Sequence, residues 1–171
     1  MLAKRIDQAA RLTGQFTLRS GAVSDTYFDK YRFESNPQLL MDVCRELAPL
    51  VPSDTEVLGG LELGGIPIAT LVSQLTGVPA AFIRKEAKTY GTCRYAEGAD
   101  IEGKRVCLVE DVVSSGGAIL DFARRLRGDG ALINTAVCVI DRESGGTEAL
   151  KEHAIELRAL LTMTDINSST G

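Results

Sequence analysis

From residue 37 onward, short apolar runs bounded by Gly, Pro and polar residues alternate with segments whose apolar residues recur at helical spacing. That alternation is the pattern of an α/β domain built around a mainly parallel sheet. Asn36 as a cap and Pro37 at the first turn announce a helix through Leu40, Val43, Cys44 and Leu47 that ends before Pro52. A short strand over Glu56 to Gly60 runs into Gly64 and Gly65; Ile68, Leu71, Val72 and Leu75 then mark a second helix that Gly77 closes. Ala80 to Ile83, Arg105 to Glu110 and Ala136 to Ile140 read as further strands, with a helix over Ala118 to Arg127 ended by Gly128 or Gly130. The alternation of Ile155, Leu157, Ala159 and Leu161 with polar residues predicts a half-buried strand near a sheet edge. A chain of 171 residues suits a single domain spanning 1–171.

Charge and residue counts narrow the chemistry. A formal net charge of -4 argues against attraction of nucleic acid or membrane surfaces over the whole protein, so any phosphate site must be local. No apolar stretch approaches bilayer length, and a cytoplasmic protein is expected. Cys44, Cys93, Cys107 and Cys138 show no CxxC spacing, and His153 is the one histidine, which argues against zinc and against Ser-His-Asp catalysis. Cys44, Cys107 and Cys138 lie in apolar segments and read as buried hydrophobes; Cys93 lies in a polar stretch. Gly98 to Arg105, GADIEGKR, approximates a P-loop. It lacks the Ser or Thr after the lysine and leads into a strand instead of leaving one, so Gly103 to Arg105 is expected to be a turn.

Residues 84–98, RKEAKTYGTCRYAEG, interrupt the alternation with charged side chains, two glycines and little to bury. A long excursion inside a compact domain is often a lid or binding loop, and a mobile loop is expected here. A solvated helical or hairpin face is the ordinary alternative.

The run Val106 to Leu120, VCLVEDVVSSGGAIL, carries the chemistry. Glu110 and Asp111 stand at the carboxyl end of a strand, where ligands bind in open α/β sheets, and Ser114, Ser115, Gly116 and Gly117 open the next helix. Small residues at a helix N-terminus let successive backbone N–H groups converge on a phosphate while serine hydroxyls add donors. Negative charge beside a phosphate needs another purpose, and two carboxylates accepting hydrogen bonds from a sugar diol provide one. The segment therefore reads as a template for ribose 5-phosphate. A strand followed by a capped helix, its acids near the helix dipole, is the alternative.

This segment resembles the signature of the type I phosphoribosyltransferases, in which a strand, an acidic pair and a small-residue loop bind the ribose phosphate of phosphoribosyl pyrophosphate (PRPP). Three more runs resemble the orotate phosphoribosyltransferase family: FTLRSGAVSDTYFD from Phe16 to Asp29, RKEAK from Arg84 to Lys88, and Asp141 with Arg142. The resemblance implies an α/β fold with a mainly parallel central sheet flanked by helices, a small hood from about 1–35 and a mobile catalytic loop over about 84–98. It implies transfer of the ribose 5-phosphate unit of PRPP to orotate, giving orotidine 5'-phosphate and pyrophosphate in pyrimidine biosynthesis. Arg84, Lys85 and Lys88 would be catalytic, contacting the pyrophosphate with Tyr90. Glu110 and Asp111 would take the ribose hydroxyls, and Val112, Val113, Ser114, Ser115, Gly116, Gly117 and Ala118 would cradle the phosphate. Arg19, Tyr27, Phe28, Ser114 and Arg142 would bind orotate, with Arg142 facing its carboxylate.

The resemblance further implies Mg2+ held mainly by PRPP and a homodimer whose loop 84–98 reaches the neighbouring site. Departures exist: Tyr90 stands where many relatives have histidine, Ser114 and Ser115 where threonines are common, and Gly64 where some have lysine. A PRPP-binding or nucleic-acid-binding regulator of this fold and a purine phosphoribosyltransferase are the competing readings. Because a binding module has no evident need for the RKEAK lid, the enzyme is favoured.

Overall fold

Strands β3 (Val57–Leu61), β4 (Ala80–Ile83), β5 (Ala96–Gly98), β6 (Arg105–Val113), β7 (Leu132–Asp141) and β8 (Glu156–Thr162) form one sheet in the order β5-β4-β3-β6-β7-β8. The computed structural model describes residues 1–18, 20–87, 89 and 94–169. Every pairing in the sheet is parallel except β4 with β5. The fold class expected from the alternation is therefore observed. Alternate residues of β6 feed two cores: Cys107 and Val109 pack on one face with helices α3 (Pro37–Leu47) and α4 (Gly65–Thr76), while Val106 and Leu108 pack on the other with α5 (Gly117–Gly128). Both faces are covered, as a parallel sheet requires.

Local signals act where the sequence places them. The Asn36 side chain accepts a hydrogen bond from the Leu39 N–H at 3.0 Å, with Pro37 opening α3. Gly77 closes α4 at φ +75°, and Cys44, Cys107 and Cys138 are buried. β8 does lie at the sheet edge.

Three expectations change. The strand read as Arg105 to Glu110 continues to Val113, because Val112 and Val113 stay in register with Ile140 and Asp141 of β7. Arg105 belongs to that strand, and the turn before it is confined to Glu102 and Gly103. The excursion from residue 84 is shorter than read, since residues 96–98 return as β5 against Ile83, Phe82 and Ala81.

Four α-helices, as well as strands β1, β2 and β5, have no counterpart in the sequence reading. Helix α1 (Leu2–Ala10) buries Leu2, Ala3, Ile6 and Ala10, and the one-turn helix α2 (Tyr31–Glu34) buries Phe33. Helices α6 (Gly146–Glu152) and α7 (Met163–Ser168) complete the set; the latter is held by a reciprocal capping box between Thr162 and Asp165. Between α1 and α2, strands β1 (Arg11–Thr17) and β2 (Val23–Phe28) pair antiparallel as a separate two-stranded sheet. Among the described residues no helix is long and apolar enough to cross a membrane.

Candidate active site

The chain leaves β3, builds β4 and β5 on one side, and returns to place β6 on the other side of β3. The carboxyl ends of β3 and β6 therefore border a topological switch point, where connections diverge and open a crevice. Two glycines let the crevice walls approach. A Cβ on Gly64 would lie 1.7 Å from Asp111 Oδ2, and one on Gly65 would lie 2.1 Å from the Val109 carbonyl oxygen. Only residues without side chains fit between the ends of these strands.

Glu110 and Asp111 both stand near the carboxyl end of β6, but only Glu110 lines the cavity there, whereas Asp111 lines neither that cavity nor the larger one described below. Glu110 is half-buried and Asp111 has no exposed surface. Lys30, between β2 and α2, reaches both oxygens of Asp111, at 2.9 Å from Oδ1 and 2.7 Å from Oδ2. Glu34 is buried against the same group. Burial, then the hydrogen bond and charge of Asp111, push the Glu34 carboxyl up to about 9. Burial and the adjacent Asp111 charge push Glu110 up to about 8. Burial opposes ionisation of Asp111 too, but hydrogen bonds from Glu110, Lys30 and Glu34 outweigh it and hold the group below the usual carboxylate range. With every acid ionised, Glu34 Oε1 and Asp111 Oδ2 would be buried without hydrogen-bond partners, although the Lys30 ammonium neighbours Oδ2. A proton kept on Glu34 resolves that conflict by donating toward Asp111.

Past the acids, Ser114 to Ala118 curve around a cavity of about 180 Å³, also lined by Glu110, Val112, Val113 and Ile119. Gly116 turns at φ +79° to start α5. Ser114 and Ser115 are exposed, so their hydroxyls are free to meet a ligand. The cavity is the size of a phosphate-bearing group and lies at the N-terminus of α5.

A second cavity of about 590 Å³ gathers residues from distant segments: Ser24, Thr26, Tyr27 and Phe28 of β2, Leu18 and Ser20 of the hairpin turn, and Arg142 and Ser144 after β7. The Arg142 backbone N–H is tied to the Val113 carbonyl at 2.8 Å. Its guanidinium forms no ion pair with Asp141 or Glu143, the ordinary alternative for such a residue. Asp141 accepts from the Glu143 N–H and Thr147 Oγ1, and Glu143 accepts from Thr164. Ser114 does not line this cavity; it lines the smaller one.

The entry to the 84–98 segment is anchored. Glu62 Oε2 accepts from the Lys85 N–H at 2.8 Å, the Lys85 carbonyl accepts from Arg125, and Arg125 lies over the Tyr95 ring at 5.1 Å. Lys85 is exposed and Arg84 half-buried. Arg19, Lys88, Tyr90 and Cys93 lie outside the described residues.

Sequence reasoning missed Lys30, Glu34 and Gly146. A Cβ on Gly146 would come within 2.5 Å of the Ser114 carbonyl, so α6 abuts the phosphate loop. The Gly145–Gly146 pair was the available signal. Lys30 and Glu34 offered none, because their partner lies 81 and 77 positions away.

The family model described as Phosphoribosyl transferase domain matches residues 33–168. An orotate phosphoribosyltransferase of a Nocardioides species is 54% identical over 168 residues, covering 98% of this chain and 94% of the relative. The chain belongs to the orotate phosphoribosyltransferase family. Among solved structures, Mycobacterium tuberculosis orotate phosphoribosyltransferase in complex with Fe(III) dicitrate superposes with a TM-score of 0.86 at 30% identity, covering 96% of each chain. The same enzyme in complex with PRPP superposes at 0.83 and 27% identity, covering 97% of this chain and 96% of that one. The family model spans the switch-point crevice and the small-residue loop but begins after the β1–β2 hairpin, whereas the Nocardioides relative and the two superposed structures cover nearly the whole chain.

Proposed function

We propose that this chain transfers the ribose 5-phosphate unit of PRPP to orotate, releasing pyrophosphate and forming orotidine 5'-phosphate for pyrimidine biosynthesis. The observation that carries the reading is the Glu110 carboxylate lining a phosphate-sized cradle, with Arg142, Tyr27 and Phe28 gathered in a second cavity. Ser114 to Ala118 hold the 5'-phosphate, and Asp111 and Glu110 hold the ribose hydroxyls. Arg142 and Arg19 take the orotate carboxylate, and the Tyr27 and Phe28 backbone and rings hold the flat base. A ring nitrogen of orotate forms a bond to the anomeric carbon as the bond from that carbon to pyrophosphate breaks, the electron pair leaving with the pyrophosphate. Negative charge grows there, and Arg84, Lys85, Lys88 and Tyr90 stabilise it while the closed loop excludes water.

No group of three or more His, Cys, Asp or Glu suited to a metal exists among the described residues. Mg2+ would be carried in on PRPP, with most of its shell made of phosphate oxygens and water. When bound there it supplies charge neutralisation to the pyrophosphate. The working enzyme is a cytoplasmic homodimer in which loop 84–98 serves the neighbouring site.

A spectroscopic assay with PRPP, Mg2+ and a panel of bases tests the reading. Orotate is consumed, whereas uracil and adenine react slower by a factor on the order of 10⁴, because donors placed for the carboxylate stay unpaired. Arg142→Ala raises KM for orotate far more than KM for PRPP. Comparable turnover of adenine would point to a purine phosphoribosyltransferase, and PRPP binding with no turnover of any base would point to a regulator.

A further inference from the structure

Where β4 gives way to the 84–98 segment, the outgoing and returning arms leave the sheet side by side. Ile83 faces Ala96 across the β4–β5 ladder, and the Arg84 N–H donates to the Tyr95 carbonyl at 2.8 Å. Beyond that bond Lys85 is gripped on both of its flanking peptides. Its N–H donates to Glu62 Oε2 at 2.8 Å, one residue past the end of β3, and its carbonyl accepts from the Arg125 guanidinium of α5. The same guanidinium lies over the Tyr95 ring, 5.1 Å from its centroid, so one side chain joins the outgoing arm to the returning one. Arg84 folds back, its Nε donating to the Glu86 carbonyl at 3.3 Å. The Lys85 side chain stands apart from this network: it is exposed, and among the described residues nothing pairs with its ammonium.

We propose that Arg125 is a positioning residue for the transfer reaction: by bridging the Lys85 carbonyl and the Tyr95 ring it fixes the direction in which Lys85 delivers its ammonium to the crevice. This inference rests on the pyrophosphate role proposed for Lys85. A residue has two soft backbone torsions, and holding the peptides on both sides of it sets both torsions and the direction of its side chain. Glu62 holds one peptide from β3, whose end borders the crevice, and Arg125 holds the other from α5. Without Arg125 the second peptide turns freely and the ammonium is spread around the crevice mouth. Charge developing on a leaving pyrophosphate is stabilised best by a cation already in place. Helix α5 then serves both ends of the substrate, since its N-terminus opens the phosphate cradle and Arg125 lies about two turns further along the same rigid element.

The test is a double-substitution cycle in the full chain: native, Arg125→Met, Lys85→Ala and the two together, with kcat, KM for each substrate and Tm measured for all four. Arg125→Met is expected to lower kcat/KM for PRPP by roughly fivefold to tenfold, the range for a lost charge-assisted hydrogen bond, with KM for orotate within about twofold of native. In the Lys85→Ala chain the same change costs less than about twofold, because no ammonium is left to position. Arg125→Lys, which still donates to the carbonyl, recovers most of the loss. Arg125 is exposed on α5, so Tm stays close to native. The proposal is overturned if Arg125→Met keeps kcat/KM for PRPP within about twofold of native, or if it costs as much in the Lys85→Ala chain as in the native one, as a general loosening would. Should Arg125→Met not fold, Arg125→Gln is put through the same cycle. Native turnover of orotate with an additive cycle leaves the proposed reaction standing and removes Arg125 from it, whereas a native chain that turns over no base refutes the reaction and this inference together.

Discussion

At the residue scale the site is organised by where protons reside. Glu34, Glu110, Asp111 and Lys30 cluster at one point, and three ionised acids beside one ammonium would leave excess negative charge in a buried space. The structure avoids this by raising Glu34 to about 9 and Glu110 to about 8 while keeping Asp111 ionised against Lys30. Folded Glu34 and Glu110 bind protons more tightly than the unfolded chain, whose value is near 4.5. Their contribution to stability is complete below about pH 4.5 and is lost as pH rises toward 8 and 9. Asp111 behaves oppositely: its contribution is present above the ordinary aspartate value and is lost as pH falls through its depressed one. Denaturant melts should therefore show stability falling between neutral pH and pH 9, by on the order of 1–2 kcal/mol. Glu34→Gln, which keeps the hydrogen bond without the titration, should flatten that decline. An unchanged slope in the variant would assign the alkaline loss elsewhere.

At the element scale the phosphate loop is held by its neighbours as much as by its own residues. Helix α6 begins at Gly146, where a Cβ would sit 2.5 Å from the Ser114 carbonyl and 2.9 Å from Val113 Cγ1, and Gly116 packs back on Gly146. Backbone atoms on both sides cannot yield as a flexible side chain would. Gly146→Ala should push α6 and the loop apart, costing about 1–3 kcal/mol of stability, and should weaken PRPP binding because the cradle changes shape. Gly128→Ala is the control. Nothing lies within 4 Å of a Cβ there, and the residue ends α5 in ordinary backbone conformation. Stability there should hold or rise by about 0.5–1 kcal/mol. Thermal melts and calorimetry compare the two, and equal behaviour would deny α6 a role in shaping the loop.

At the scale of the whole molecule, the question is which cations reach which site. The crevice carries Lys30 and, at the loop entry, Arg84 and Lys85, but the proposed pyrophosphate contact is Lys88 on a segment proposed to serve a neighbouring subunit. Mixing inactive Lys88→Ala with inactive Glu110→Gln tests this arrangement. Glu110 is chosen because it is half-buried, whereas Asp111 is fully buried and paired with Lys30, so that Asp111→Asn would also cost stability. A dimer with shared sites regains up to about a quarter of native turnover if subunits exchange at random, since half of the dimers are then mixed and half of their sites intact. No recovery in mixtures shown to exchange would assign each loop to its own chain.

Much of this was legible without coordinates because it is local. The Asn36–Pro37 start of α3, the Gly77 stop of α4, the apolar runs of β4 and β7 and the small-residue turn after Asp111 are set by interactions within a few positions, and their residue types carry the signal. The acidic pair and the serine–glycine turn could likewise be read as a ribose phosphate template, since both occupy one strand–turn–helix unit. Helix α1 escaped notice because its buried apolar residues are only Leu2, Ala3, Ile6 and Ala10, with Asp7 buried among them, a pattern too sparse to stand out before its partners are known. The pairing of Lys30 with Asp111, the contact of Gly146 with Ser114 and the shared cavity of Tyr27 with Arg142 belong to another class. They join residues separated by tens of positions that meet because β3, β6 and β7 end side by side in the sheet. Burial there is also what keeps Glu34 protonated, and desolvation is a property of the packed neighbourhood that no local pattern of residues records.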